Sequence, residues 1–308
     1  MKKKDLLSIY DLSAKEIEFL LKQSFKLKKS KKLNSTLKGK ILGMIFEKNS
    51  TRTMVSFASA MLQLGGNPII LNSQNMQRAR GETIHDTALT LSSYLDGVMI
   101  RAFNHKDVCE LAQYSSIPVI NGLTDSEHPC QILGDIMTVM ELLRIKNVKN
   151  LKKVKLVFCG DGSNNIVNSL IAIAAVLGLD FTIVSPKDYF PQADILDKSL
   201  KYKNTGAKIK VTENILDAKS ADVIYTDVWV SMGFEKEAEA RKKALTPYQV
   251  NSKLLQNASP RAIVLHCLPA KRGEEITDAI MSQYEHSIFT QAENRLHIQK
   301  SILLYLLK

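Results

Sequence analysis

The chain reads as an α/β protein of two domains, each a mainly parallel sheet flanked by helices, with a C-terminal helix returning to the first domain. Three observations predict this. Short β-branched apolar runs alternate with longer amphipathic stretches. The alternation breaks at the lysine-rich "KNVKNLKKVK" and then restarts, as two successive βα runs would. The length, 308 residues, exceeds the commonest single-core size. The bounds that follow are 1–147 and 148–290, with residues 291–308 joined to the first domain.

Taken in order, Ile17, Phe19, Leu20, Leu21 and Phe25 recur at helical spacing over residues 13–29, with Ser13 as the cap. "KILGMIF" is a strand, and a helix through "TMVSFASAMLQL" stops at Gly65-Gly66. "NPIILN", "DGVMIRA" and "IPVINGL" are further strands, with a helix through "TIHDTALTLSSYL" after the first of them. "HPCQILGDIMTVMELLRI" is a long helix with Pro129 in its first turn, where proline is tolerated. In the second half, "LVFCGDG", "FTIVSP", "DVIYTDVW" and "AIVLHCLP" are strands and "NNIVNSLIAIAAVLGL" is a helix. The terminal helix, "AENRLHIQKSILLYLLK", has an apolar face that needs a partner, which the first domain can supply.

Composition bounds the function. With 45% hydrophobic and 24% charged residues the chain is an ordinary soluble globular protein. No apolar run reaches the roughly 18 residues of a membrane span, and the N-terminus lacks the pattern of a leader, so a cytoplasmic location without a membrane partner is expected. Cys109, Cys130, Cys159 and Cys267 are irregularly spaced and read as reduced thiols. The net charge of +11 sits mostly at the start, where Met1–Lys40 holds twelve lysines against four acids. Aromatics are not interleaved with those lysines, so a solvated helix face is favoured over a nucleic-acid contact.

In open α/β sheets ligands sit beyond the carboxyl ends of the strands, and the polar residues gather there. "STRT" follows a strand and opens a helix, so backbone N–H groups and the helix dipole point at one spot. Ser50, Thr51 and Thr53 add hydroxyls, and Arg52 adds a planar fork suited to phosphate oxygens. A simple cap needs one hydroxyl, so an anion site is the better reading. Arg101 ends "VMIRA", and His128 and Gln131 stand three apart at a helix start, able to face one ligand. A lone strand-end arginine is also a common solvated edge, and a structural role suits His128 equally. "GDGSNN" has Asn165 where a dinucleotide fingerprint needs its third glycine, which argues against NAD. Asp227, Ser231 and Met232 lie in "DVWVSMG", a candidate mobile loop. His266 and Cys267 are neighbours on a strand and point to opposite faces, against a Cys–His catalytic pair. A zinc site from His128, Cys130, His266 and Cys267 has no standard spacing, and no metal is expected.

Together "STRT", "MIRA", "HPCQ", "DVWVSMG", "HCLP" and "AENR" resemble the aspartate/ornithine transcarbamylase family, and within it the ornithine carbamoyltransferases. The motifs recur in order across nearly the whole chain. The resemblance implies a carbamoyl-phosphate domain, an ornithine domain and a returning C-terminal helix. It implies that Ser50, Thr51, Arg52 and Thr53 hold the phosphate, with Arg101, while His128, Gln131 and Arg295 contact the carbamoyl group. Gln77 matches a glutamine that the family contributes across a trimer interface. Asn165, Asp227, Ser231 and Met232 would bind the α-amino acid part of ornithine, and Cys267 and the Leu268 carbonyl would lie near the reacting amine. Arg101, His128 and Cys267 are thus the candidate catalytic group. The implied activity is carbamoyl transfer from carbamoyl phosphate to the δ-amine of ornithine, in arginine metabolism, by a cytoplasmic homotrimer or a multiple of it, without a cofactor.

The family's run is S-T-R-T-R-x-S-F-E, whereas here Met54 and Ala58 replace the second arginine and the glutamate. A lost helix-surface pair at i,i+4 is one consequence, and altered affinity for carbamoyl phosphate is the other. Alternatives are a transcarbamylase for another amine, an inactive structural paralogue, a nucleic-acid-binding protein using the N-terminal lysines, and a zinc hydrolase. Asp227 beside Ser231 and Met232 favours an α-amino acid with a free α-amine over putrescine or N-acylated forms.

Overall fold

The structure, a computed structural model, describes residues 4–30, 35–230 and 235–308, with the backbone alone for Lys203 and Glu235. The chain divides into two compact units, Met1–Gly134 with Asn294–Lys308, and Asp135–Glu293.

The first unit opens with α1 (Ala14–Lys29). A reciprocal box starts it: the Ser13 side chain accepts from the Glu16 N–H while the Glu16 carboxylate takes the Ser13 N–H. Then β1 (Ile41–Phe46), α2 (Thr51–Gln63), β2 (Asn67–Asn72), α3 (Ile84–Tyr94), β3 (Gly97–Arg101), α4 (His105–Tyr114) and β4 (Val119–Leu123) follow in turn. The strands lie in the order β2-β1-β3-β4, all parallel. Helical crossovers cover such a sheet, which is why β3 is buried along its whole length. Ile45, Val98, Ile100 and Val119 meet Ala88, Val108 and Leu111 in one core. The N-terminal segment, unassigned from sequence, borders β4: Leu6 bridges Ile120 in parallel, and the Asn121 N–H donates to the Leu6 carbonyl at 2.8 Å.

Helix α5 (Pro129–Leu142) begins in the first unit and ends in the second. The second unit continues with β5 (Lys155–Cys159), α6 (Asn165–Leu177), β6 (Asp180–Val184), α7 (Ala193–Leu200), β7 (Lys208–Thr212), β8 (Val223–Thr226), α8 (Ala238–Leu245), α9 (Ser252–Leu255), β9 (Ile263–His266) and α10 (Asp278–Gln283). Its sheet is parallel in the order β7-β6-β5-β8-β9. Val157, Val184, Ile224 and Val264 pack with Ile276, Ile280 and Ile288. Helix α6 ends at Gly178, whose φ of 73° is the left-handed conformation that stops helices. The terminal helix, α11 (Glu285–Leu307), starts earlier than its sequence pattern suggests, and Asn294–Lys308 returns to the first unit as expected. Among the described residues no helix is long and apolar enough to cross a membrane.

Candidate functional site

In the first unit the site begins where β1 stops. Ser50, extended at φ −159°, caps α2 by accepting the Thr53 N–H at 3.2 Å. One hydroxyl therefore serves as the cap. Thr51 is exposed, Arg52 is partly exposed, and Thr53 is fully buried. The Thr53 hydroxyl accepts from Arg295 Nη2 at 2.8 Å, so residues 242 positions apart meet at the helix start.

Arg101 ends β3 and is nine-tenths buried. The β3–β4 register shifts between Ile100 and Arg101, an irregularity of the kind that re-aims a side chain next to a site. His128 precedes α5 and is buried, as is Gln131 one turn on. Burial holds the His128 imidazole well below its ordinary pKa, and the positive charges of Arg295 and Arg101 push it further down. The structure thus brings Arg101, His128 and Arg295 together around a ring that stays neutral at physiological pH. Glu127, next to His128, is buried and pinned by the N-terminal segment, accepting from Ser8 Oγ at 2.5 Å and the Ile9 N–H at 3.1 Å.

Gln77 is exposed on the 3-10 turn Gln77–Arg80. Among the described residues no hydrogen bond joins its side chain to another candidate. Its neighbour Arg78 ties the turn down, reaching Glu47 at 3.0 Å and Asp107 at 3.3 Å. Lys48, just ahead of "STRT", is half-buried over the Phe103 ring at 4.4 Å. Burial and then the Arg101 charge lower its pKa. In the sequence it stands two residues before Ser50.

The second unit holds the other candidates. Asn165 is the first residue of α6, and its neighbour Asn164 is the cap, accepting the Val167 N–H at 2.9 Å. Asp227 follows β8 and is buried. Its carboxylate accepts from Cys267 Sγ at 3.0 Å and from the Val228 N–H at 2.8 Å. Burial raises its pKa, more than the nearby His266 lowers it. Ser231 and Met232, with the loop motion expected of them, lie outside the described residues.

His266 does not turn away from Cys267 as strand alternation predicts: Cys267 lies beyond the end of β9, and a His266 ring nitrogen comes within 4.8 Å of its Sγ. Its Nε2 lies 2.9 Å from Glu275 Oε1, and its Nδ1 accepts the Leu268 N–H at 2.9 Å. That bond holds Leu268 at φ 61°, an uncommon left-handed conformation for a leucine. Asp227, His266 and Cys267 offer ligand atoms within 4.8 Å of one another. Both His266 nitrogens are already engaged, however, and Cys130 is a buried thiol pushed up to about 12 by desolvation, which is poor material for a zinc ligand.

One buried ion pair had no sequence signal. Arg241 of α8 meets Asp161 at 2.7 Å, both side chains under a tenth exposed. Its guanidinium also reaches the Trp229 carbonyl at 3.4 Å and stacks 5.2 Å from the Tyr189 ring centre. Asp161 in turn accepts from the Ser163 hydroxyl at 2.6 Å, so the turn before Asn165 and the segment after Asp227 are tied through one arginine.

Both halves of the chain match known protein families. The family profile described as "Aspartate/ornithine carbamoyltransferase, carbamoyl-P binding domain" matches residues 4–141. The one described as "Aspartate/ornithine carbamoyltransferase, Asp/Orn binding domain" matches residues 152–306. The chain is 50% identical to an ornithine carbamoyltransferase of Methanosarcina acetivorans over 99% of this chain and 100% of that protein. It is 51% identical to that of Methanosarcina mazei, with the same coverage. Among solved structures, the anabolic ornithine carbamoyltransferase of Campylobacter jejuni superposes with a TM-score of 0.93 at 39% identity, over 98% of both chains. The Pyrococcus furiosus ornithine carbamoyltransferase gives 0.90 at 45%, over 97% of this chain and 96% of that one. Two profiles spanning nearly the whole sequence and relatives at half identity show that the chain belongs to the aspartate/ornithine carbamoyltransferase family.

Proposed function

We propose that the protein transfers the carbamoyl group of carbamoyl phosphate to the δ-amine of L-ornithine, giving L-citrulline and phosphate. The observation that carries this is the gathering of Arg101 and Arg295 around a neutral His128, in the same unit as the capped start of α2. The reading assigns carbamoyl-phosphate binding to 1–147 with 291–308, and ornithine binding to 148–290.

Ser50, Thr51, Arg52 and the α2 N-terminus take the phosphate, where the helix dipole and the guanidinium fork favour negative charge. Arg101, Thr53 and His128 face the carbonyl oxygen, on which charge develops as the amine attacks. Because His128 is neutral, one ring nitrogen can donate while the ring adds no proton of its own. Gln131 and Arg295 orient the carbamoyl group, and Gln77 completes the site of a neighbouring copy in a homotrimer or a multiple of it.

In the second unit, Asp227 pairs with the α-amine of ornithine, with Asn165, Ser231 and Met232 on the rest of the amino-acid group. Cys267 and the Leu268 carbonyl lie by the δ-amine. That amine has a reference pKa near ~10.4 and must attack as the free base, which a partly desolvated site beside positive groups favours. A C–N bond forms, the bond from carbon to the phosphate oxygen breaks, and the amine proton leaves with phosphate or solvent. Orientation of two bound substrates supplies the rate, so Cys267 needs no covalent role. The enzyme works in the cytoplasm, in arginine metabolism.

The test is citrulline-type product formation by purified protein from carbamoyl phosphate and, separately, ornithine, putrescine, N-acetylornithine and aspartate. Ornithine turnover that disappears in Arg52→Ala supports the reading. Turnover of a different amine, or of none, overturns it.

A further inference from the structure

Strand β9 is the outer strand of its sheet, so the backbone groups on its far side have no strand to pair with. Two side chains one turn apart on α11 take that place. Ser287 Oγ donates to the Val264 carbonyl at 2.6 Å, and Gln291 Oε1 accepts the His266 N–H at 2.8 Å. The far end of the Gln291 amide is fixed as well: Nε2 donates to Asp135 Oδ1 at 2.7 Å and to the Tyr225 oxygen at 3.1 Å. The Tyr225 hydroxyl donates to the other Asp135 oxygen at 2.9 Å.

Asp135, Tyr225 and Gln291 are all at most 2% exposed. Burial and the Asp135 charge hold the Tyr225 phenol well above its ordinary pKa, so it keeps the proton this bond requires. Only one orientation of the amide satisfies the set, because a flip would set Nε2 against the His266 N–H and Oε1 against a carboxylate. The next residues of the chain are Cys267, which donates to Asp227, and Leu268, held left-handed.

We propose that Gln291, anchored by Asp135 and Tyr225, is a positioning residue that fixes the His266 backbone and thereby places the Cys267 thiol and the Leu268 carbonyl for carbamoyl transfer. The inference rests on the proposed roles of Cys267 and Leu268. It adds to them a residue that touches neither substrate.

The experiment compares wild type with Gln291→Met, which keeps length and volume but removes the amide, and with Tyr225→Phe. Two readouts are taken on protein shown to be folded by its circular dichroism and melting profile: steady-state kinetics, and iodoacetamide alkylation of Cys267 resolved by mass spectrometry. In Gln291→Met, kcat is expected to fall about 10- to 100-fold with KM for carbamoyl phosphate changed by less than about twofold. Cys267 alkylation should rise about threefold or more, since the thiol is no longer held against a carboxylate. Tyr225→Phe should move both readouts the same way by less, and it decides the matter if Gln291→Met does not fold. Wild-type kcat in folded variants, or unchanged Cys267 alkylation, overturns the proposal. If the wild type itself carbamoylates no amine, the proposed function fails, while the alkylation comparison still decides whether Gln291 holds Cys267.

Discussion

Around His128 the chain gathers two buried arginines and the start of a helix, whereas around Asp227 it gathers a thiol, a backbone N–H and the buried histidine–glutamate pair behind them. The first arrangement concentrates positive charge and keeps its histidine neutral. The second isolates one negative group from water and fixes its neighbours through side chains distant in sequence. An anion is captured by charge and by backbone N–H groups that a helix start already supplies. An amino acid with a flexible side chain has to be oriented, and orientation depends on residues that do not touch it. The first half should therefore fail when its own contacts are removed, and the second also when its supports are.

The sharpest break is Arg241→Met in the second unit. It leaves the buried Asp161 charge without its cation, and loss of one partner of a buried pair costs about 3–5 kcal/mol; denaturant unfolding should show it. A variant as stable as wild type would mean that the pair contributes nothing. Next in size, Arg52→Ala should lower kcat/KM about 10²- to 10³-fold, read with carbamoyl phosphate as the varied substrate. Asp227→Asn should raise KM for ornithine about 10- to 100-fold, the worth of a charge-assisted contact, and leave KM for carbamoyl phosphate nearly alone. Equal changes in both constants would erase the division between the halves.

The pH dependence sharpens the contrast. The folded-state pKa of His128 is depressed, so the unfolded chain binds the extra proton as pH falls below about 6.5. Stability from this group is present above that pH and is lost going down, at up to about 1.4 kcal/mol per pH unit. His128→Gln should flatten the fall in stability between about pH 7 and pH 5.5, measured by denaturant titration at each pH. The smallest effect is expected from Met54→Arg with Ala58→Glu. An i,i+4 pair on α2 is worth about 0.2–0.5 kcal/mol, so the double variant should melt within a degree or two of wild type. A large drop in KM for carbamoyl phosphate would instead show that the missing arginine belongs to the anion site.

The same contrast explains what the sequence made legible. "STRT" is contiguous and sits at a strand-to-helix junction, so its chemistry is visible without a structure. The strands of both sheets are β-branched runs and read easily, except β7, where Lys208 and Lys210 alternate with apolar residues on an edge. The Arg241–Asp161 pair, the Glu127 clamp on Ser8 and the Gln291 bracket join residues 80, 119 and up to 156 positions apart. Each is a common residue type in an unremarkable local pattern, and only the folded chain shows its partner. Gln291 in particular reads from sequence as a polar residue ahead of "AENR".

The helix side chains along β9 have a consequence for how the protein behaves when concentrated. A foreign strand adding to a sheet needs free backbone groups along an outer strand. On β9 Ser287 and Gln291 already occupy the outward carbonyl of Val264 and the outward N–H of His266. The opposite margin, β7, carries Lys208 and Lys210, charges that repel a second strand. In the other sheet Leu6 lines β4, and β2 includes Pro68, which offers no N–H at all. Refolding at high protein concentration should therefore tolerate crowding of the second sheet well, and substitutions that strip Ser287 and Gln291 together should both lower the melting temperature and raise fibrillar or amorphous precipitation.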